Sequence, residues 1–208
     1  MTRSEKLMSI GSLPLGGELP LRNSLPDLPW LDRVMDLLRL KNGFYAFESA
    51  LHVFPLGKQP GVMDLESWNA QDLWRHQYGN LLDGLLCFAE DIVGCQFCIG
   101  EEGISLFNPE DGSIEPTADT IEGWADALLG DYEVLTGYPW ARDWQRIHGP
   151  LPEGHRLRFQ MPLILKGKTE ISNMAEFDAL EVMLSSANVW KQIKDVPPGT
   201  PFTVKYVD

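Results

Sequence analysis

The sequence predicts an α+β protein: a mainly antiparallel sheet with helices packed against it, followed by a C-terminal β-β-α-β extension. Three observations predict this. Residues 85–89, 95–99 and 104–107 are short apolar runs separated by segments rich in Gly, Asn, Asp and Pro, the pattern of consecutive antiparallel strands. The first run is apolar throughout, as befits a central strand covered on both faces. Around them lie stretches of helical period, and the tail after Arg156 repeats strand, strand, helix and strand.

In chain order, residues 1–29 hold four prolines and a Gly-Gly pair with no sustained period, and read as an extended N-terminal arm. Asp27 is a plausible N-cap with Pro29 in the first turn. Leu31, Met35 and Leu38 then recur at helical spacing, and Asn42-Gly43 stops the helix. Residues 44–54 are aromatic and apolar, extended at least from Leu51, with a short helix possible before it. Residues 64–76 read as a helix carrying Leu65, Trp68, Leu73 and Trp74. After the central strands, residues 113–116 make a short further strand. Asp119 with Glu122 suggests a capped helix, whose face is Ile121, Trp124, Ala125 and Leu128 and which Gly130 ends. Residues 132–148 include another helix, with Trp140, Trp144 and Ile147 on one face. A Pro/Gly break at 149–154 precedes strands at 156–166 and 170–174. Asp178 caps a helix with Glu181 as its partner, and 202–207 is a final strand. The expected division is an arm at 1–29, an α+β core at 30–135 and an extension at 136–208 packed on it.

The chain of 208 residues is 44% hydrophobic with seven tryptophans, enough to build a core. No apolar run reaches the roughly 20 residues that span a bilayer. The basic first residues lead into a Pro/Gly-broken segment rather than a signal-like apolar core. These features point to the cytoplasm. The net charge of −13 disfavours nucleic acid and anionic membrane as partners. It suits a basic protein partner, although acidic surfaces also simply keep proteins soluble.

Three cysteines between Cys87 and Cys98 do not make a disulfide framework. Cys95 and Cys98 have C-x-x-C spacing, but in a strand they point to opposite faces. The four histidines supply no second zinc pair. Buried, inert thiols are expected, with no metal and no cofactor. No nucleophile elbow, phosphate loop or dinucleotide fingerprint is present, and no catalytic residue is assigned. His148 and His155 flank a Pro/Gly loop, where a general base could sit, though surface histidines are commonplace. The pairs Glu90-Asp91, Glu101-Glu102 and Glu110-Asp111 all fall in turns of the meander. Solvated turn residues are the ordinary explanation. If the turns share one side of the sheet, these six would form a single acidic rim able to dock on the cationic cleft of a toxin.

Residues 85–97, with an apolar strand entering a polar turn that ends in Gly94 and an aromatic-containing strand after it, resemble the core of the SUKH superfamily, the Smi/Knr-type proteins. Residues 104–107 with their Asn-Pro-Glu-Asp-Gly turn, and the helix around Ile121-Glu122-Gly123-Trp124, extend the likeness over about residues 30–129. The tail at 149–207 resembles an extension seen in bacterial proteins of this kind. The resemblance implies an α+β fold and, for bacterial members, a non-catalytic immunity protein that binds a cognate secreted toxin and occludes it. Other members are regulatory or scaffolding proteins, so an adaptor in envelope or stress signalling is the second reading. An enzyme or small-ligand binder with a polar pocket around His148 or His155 is the third. The family carries no shared catalytic residues to place here. The long arm and tail depart from its pattern.

Overall fold

The computed structural model describes residues 1–19, 21 and 24–197. Its main sheet has six antiparallel strands: β1 (Phe44–Ala46), β2 (Leu51–Val53), β3 (Leu86–Glu90), β4 (Gln96–Gly100), β5 (Gly103–Phe107) and β6 (Ile114–Ala118). Spatial order equals chain order, so the sheet is a meander. β3 and β4 are buried at every position. For the all-apolar run 85–89 that is the expectation; Glu90 and Gln96 are buried as well, outside it. A register shift between Cys87 and Ala89 marks a bulge in β3.

The helices are α1 (Arg3–Ser9), α2 (Leu31–Leu40), α3 (Leu65–Trp68), α4 (Ile121–Leu135), α5 (Tyr138–His148) and α6 (Ala179–Ile193). A two-stranded sheet of β7 (His155–Phe159) and β8 (Met174–Asp178) lies between α5 and α6 in the chain. Fold class is therefore as expected, an antiparallel sheet with helices packed on it and a C-terminal β-β-α stretch. The strand expected at 202–207 lies outside the described residues.

Several local expectations fail for identifiable reasons. The first 29 residues are not simply extended, because they contain α1. Thr2 Oγ1 accepts from Glu5 N at 3.1 Å, and the Glu5 carboxylate accepts from Thr2 N at 2.7 Å. This reciprocal cap stabilises a short helix, and burial of Leu7 and Met8 docks it. Asp27 does not cap α2, which starts at Leu31 after Trp30 in a left-handed conformation (φ 59°). Glu122 does not complete a box with Asp119; Thr120 Oγ1 accepts from Gly123 N, and the Glu122 carboxylate accepts from Arg3 N at 2.9 Å. An acid expected to cap its own helix thus caps α1 instead. α4 continues past Gly130 through a kink at Asp131 (φ −144°, ψ 50°). The helix expected over 64–76 is only the single turn of α3, then turns and a 3₁₀ segment, Arg75–Tyr78. Residues 163–165 are likewise a 3₁₀ turn and not strand.

Asp64 caps α3 while almost wholly buried, accepting from Glu66 N and Ser67 N at 3.1 Å and from Ser67 Oγ at 2.7 Å. Asp64→Ala strands these donors, and urea unfolding is expected to show a loss of about 1–2 kcal/mol. A loss below a few tenths would mean the turn closes without its cap.

The main core packs α2, α4 and α6 on the sheet, with aromatic contacts such as Phe54 on Trp68 of α3 at 4.9 Å and Phe88 on Trp124 of α4 at 5.0 Å. A smaller cluster of Ile92, Trp144, Leu157, Phe159 and Met174 fills the space between α5 and the β7–β8 pair. Among the described residues no helix is long and apolar enough to cross a membrane.

Candidate functional site

The alternation of a meander decides where the six acidic residues go. Successive turns of antiparallel strands lie at opposite ends of the sheet. The β3–β4 and β5–β6 turns share one end, and the β4–β5 turn, with Glu101 and Glu102, lies at the other. The single rim envisaged from the sequence is therefore not formed. Two of its members are also not on the surface, since Glu90 is 0% and Asp91 5% exposed.

Glu90 is the centre of a buried polar network. It sits opposite His52 on β2 and Gln96 on β4, so the three side chains share one face of the sheet. His52 Nδ1 lies 2.9 Å from Glu90 Oε1, and Arg156 Nε donates to the same oxygen at 2.9 Å. Gln96 Nε2 donates to Glu90 Oε2 at 3.3 Å, and Trp68 Nε1 donates to Gln96 Oε1 at 2.7 Å. Burial pushes the Glu90 carboxyl up, but the Arg156 guanidinium and the His52 and Gln96 hydrogen bonds outweigh it and hold the group ionised. Burial lowers His52 below the usual histidine value, despite its bond to Glu90. A neutral His52 then donates from Nδ1 to Glu90. Arg156 comes from β7 and also donates to His155 O at 2.8 Å, while Leu157 N donates to Ile92 O at 2.8 Å. The network therefore ties the C-terminal β7–β8 unit to the meander.

At the β3–β4 end, Asp91, Cys95, Glu110, Asp111, Trp140 and Phe159 line part of a cavity of about 310 Å³. Asp91 Oδ1 accepts from Val93 N at 2.9 Å and Cys95 N at 2.8 Å. Burial nevertheless raises its pKa from 3.8 to about 7. Burial likewise raises Glu110, whose Oε2 accepts from Ile164 N at 3.4 Å. Cys95 is pushed well above the ordinary thiol value by burial, then by the adjacent Asp91, so near neutrality it is a weak nucleophile. Chemically the cavity offers two carboxyls that burial makes weaker acids than usual, and a thiol, between apolar walls, suited to hydrogen bonding. Of Glu90, Asp91, Glu110 and Asp111, only Asp111 is exposed.

The other candidates separate. Cys95 faces the cavity and is only partly buried, contrary to the expectation of three buried thiols. Cys98 meets Cys87 directly across the β3–β4 pair, sulfurs 2.9 Å apart and both buried. No group of three or more His, Cys, Asp or Glu able to hold a metal occurs among the described residues. His148 stacks on Trp144, and His155 Nε2 is 3.7 Å from Glu176; neither lines this cavity. Sequence reasoning missed Arg156 and His52. The available signal was a charged residue at the head of the apolar-alternating run 156–159, and a histidine inside the apolar run 51–54.

Fold and site together define an α+β meander protein with a buried Glu90-centred polar network and exposed acids that include Glu101, Glu102 and Asp111 at the strand-end turns. No protein-family model and no curated protein matches the chain. The fold is similar to the crystal structure of Atu4351 from Agrobacterium tumefaciens, with a TM-score of 0.56, 14% sequence identity and 98% of each chain covered. At that identity the likeness is one of fold.

Proposed function

We propose that this is a SUKH-type immunity protein that works in the cytoplasm and neutralises a cognate, basic secreted toxin by occluding it, without catalysis. The observation that carries the reading is the acidic surface, a formal charge of −13 with Glu101, Glu102 and Asp111 exposed in the sheet's turns. Such a surface accelerates encounter with a basic protein and repels phosphate backbones and anionic lipid. The resemblance of residues 85–97 to the SUKH core supports it further, since that stretch forms the β3-turn-β4 hairpin.

The test is a pull-down of the tagged protein from its own cells, at low and high salt, with mass spectrometry. The expected result is a basic toxin domain recovered at low salt and lost at high salt, whose growth inhibition co-expression of this chain relieves. Recovery of signalling or envelope proteins instead would replace this reading with that of an adaptor. A recovered toxin that still kills in the presence of the chain would refute neutralisation.

A further inference from the structure

We infer that a groove at the β4–β5 end, between α2, the first turn of α4 and α1, docks a basic amphipathic helix of the protein partner. The inference rests on the protein-binding reading above and assigns its surface. The groove has a volume of about 540 Å³. Leu37, Leu40, Ile99 and Ile121 give it apolar walls. Leu40, in the last turn of α2, is 56% exposed while Leu37 beside it is buried. An aliphatic side chain thus stands at the lip over an apolar floor.

The rim is acidic. Asp36, Asp119 and Glu122 line the groove, and the exposed Glu101-Glu102 turn adjoins it. Arg33, on the groove wall, donates from Nη1 to Gly100 O at 2.8 Å and Glu101 O at 3.3 Å, which places that turn against α2. On its other side Gly103 packs so closely on Ala118 and Asp119 that an added Cβ would lie 2.6 Å from Ala118 O. Arg33 is the one cation among the lining residues, and its guanidinium is already committed to those carbonyls and to the Trp30 ring, 4.4 Å away. Asp36 is paired with Arg39 at 2.7 Å, so Glu101, Glu102, Asp119 and Glu122 make the rim net negative.

Glu122 is held at the groove edge: its carboxylate accepts from Arg3 N at 2.9 Å and Ser4 N at 3.3 Å. The Ser4 hydroxyl beside it, then these backbone donors, keep the carboxyl below its usual value, so it stays ionised at the rim. Apolar walls with an acidic rim match a helix that presents aliphatic residues at i, i+3 and i+4 and Lys or Arg at its flanks.

The probe is a labelled synthetic 14-residue peptide with leucine at helical spacing and lysine elsewhere, titrated into the full chain at low salt and followed by anisotropy. We expect saturable one-to-one binding, weakened at least tenfold by L40D and by E101K/E102K, and unchanged by E153K/E170K, a matched charge reversal in the exposed loops around β7 and β8. All these residues are exposed, so the variants should fold, which circular dichroism checks. Absence of saturable binding overturns the assignment. So does binding lost in E153K/E170K but retained in L40D, or equal binding of a peptide with glutamate for lysine. The titration needs no native partner, so its failure is separable from that of the immunity reading. A toxin captured equally by wild type and L40D would leave neutralisation standing and remove the groove from it.

Discussion

Replacing Arg156 with methionine is expected to cost about 3–5 kcal/mol of stability, the range for removing one member of a buried ion pair. The loss comes from what is left behind. Glu90 is 0% exposed, and its Oε1 accepts from Arg156 Nε in the same place where it meets His52. Without the guanidinium, a carboxylate stays in the interior with a neutral histidine and an amide as its partners. Glu90→Gln is expected to be similarly damaging, because it leaves the buried Arg156 charge unmatched. The double variant Glu90→Leu/Arg156→Met should lose clearly less than the sum of the single losses. Guanidinium unfolding of the four proteins measures this. Arg156 links β7 to the meander, so hydrogen exchange should show β7 and β8 opening first in Arg156→Met. A loss under about 1 kcal/mol, below the usual range for breaking a buried pair, would mean that the pair stabilises neither the interior nor the C-terminal unit.

Asp91→Asn should stabilise the protein at pH 8 and change little near pH 4. The sign follows from linkage. Burial raises the folded-state pKa from 3.8 to about 7, so between those values the folded state holds a proton that the unfolded chain has released. Stability from this group is complete below 3.8 and is lost as pH rises to about 7. The gap between 3.8 and about 7, at about 1.4 kcal/mol per pH unit, is on the order of 4 kcal/mol as an upper bound. Asparagine keeps an Oδ1 acceptor for Val93 N and Cys95 N but never ionises. Urea midpoints of wild type and variant, taken from pH 4 to 8, should diverge across that window with the variant ahead at the alkaline end. Parallel curves would show that Asp91 ionises normally in its turn. Glu90 acts oppositely: its depressed pKa stabilises the fold above the ordinary carboxylate value, and that contribution disappears as pH falls through the folded value.

Residue-level comparison shows where local pattern suffices. The Asp178 cap is present, its carboxylate accepting from Leu180 N at 2.8 Å. The three strands of residues 85–107 form within a residue of their expected limits. Both depend on neighbours in the chain, through capping chemistry and through turns rich in Gly, Asn and Asp. Glu122 shows the failure mode. Its position three residues after Asp119 suggested a local cap, yet its carboxylate serves the N–H groups of Arg3 and Ser4, over a hundred positions earlier in the chain. In the N-terminal arm, by contrast, a local signal exists: Thr2 and Glu5 cap α1 reciprocally, and the prolines and glycines that follow mask it, while burial of Leu7 and Met8 docks the helix.

By itself, then, the sequence determined the α+β class, the central meander, most helices and the acidic balance. These follow from periodicity, turn chemistry and composition, which act over a few residues or over the whole chain. Only the tertiary structure decided which acids are interior and which face solvent. Strand alternation sent the Glu101-Glu102 turn to the end opposite the Glu110-Asp111 turn. The arrival of Arg156 from β7 let a carboxylate in an apolar strand remain ionised in the core. Burial of a charge depends on a partner brought from far along the chain, and adjacency of two acidic residues carries no information about that partner.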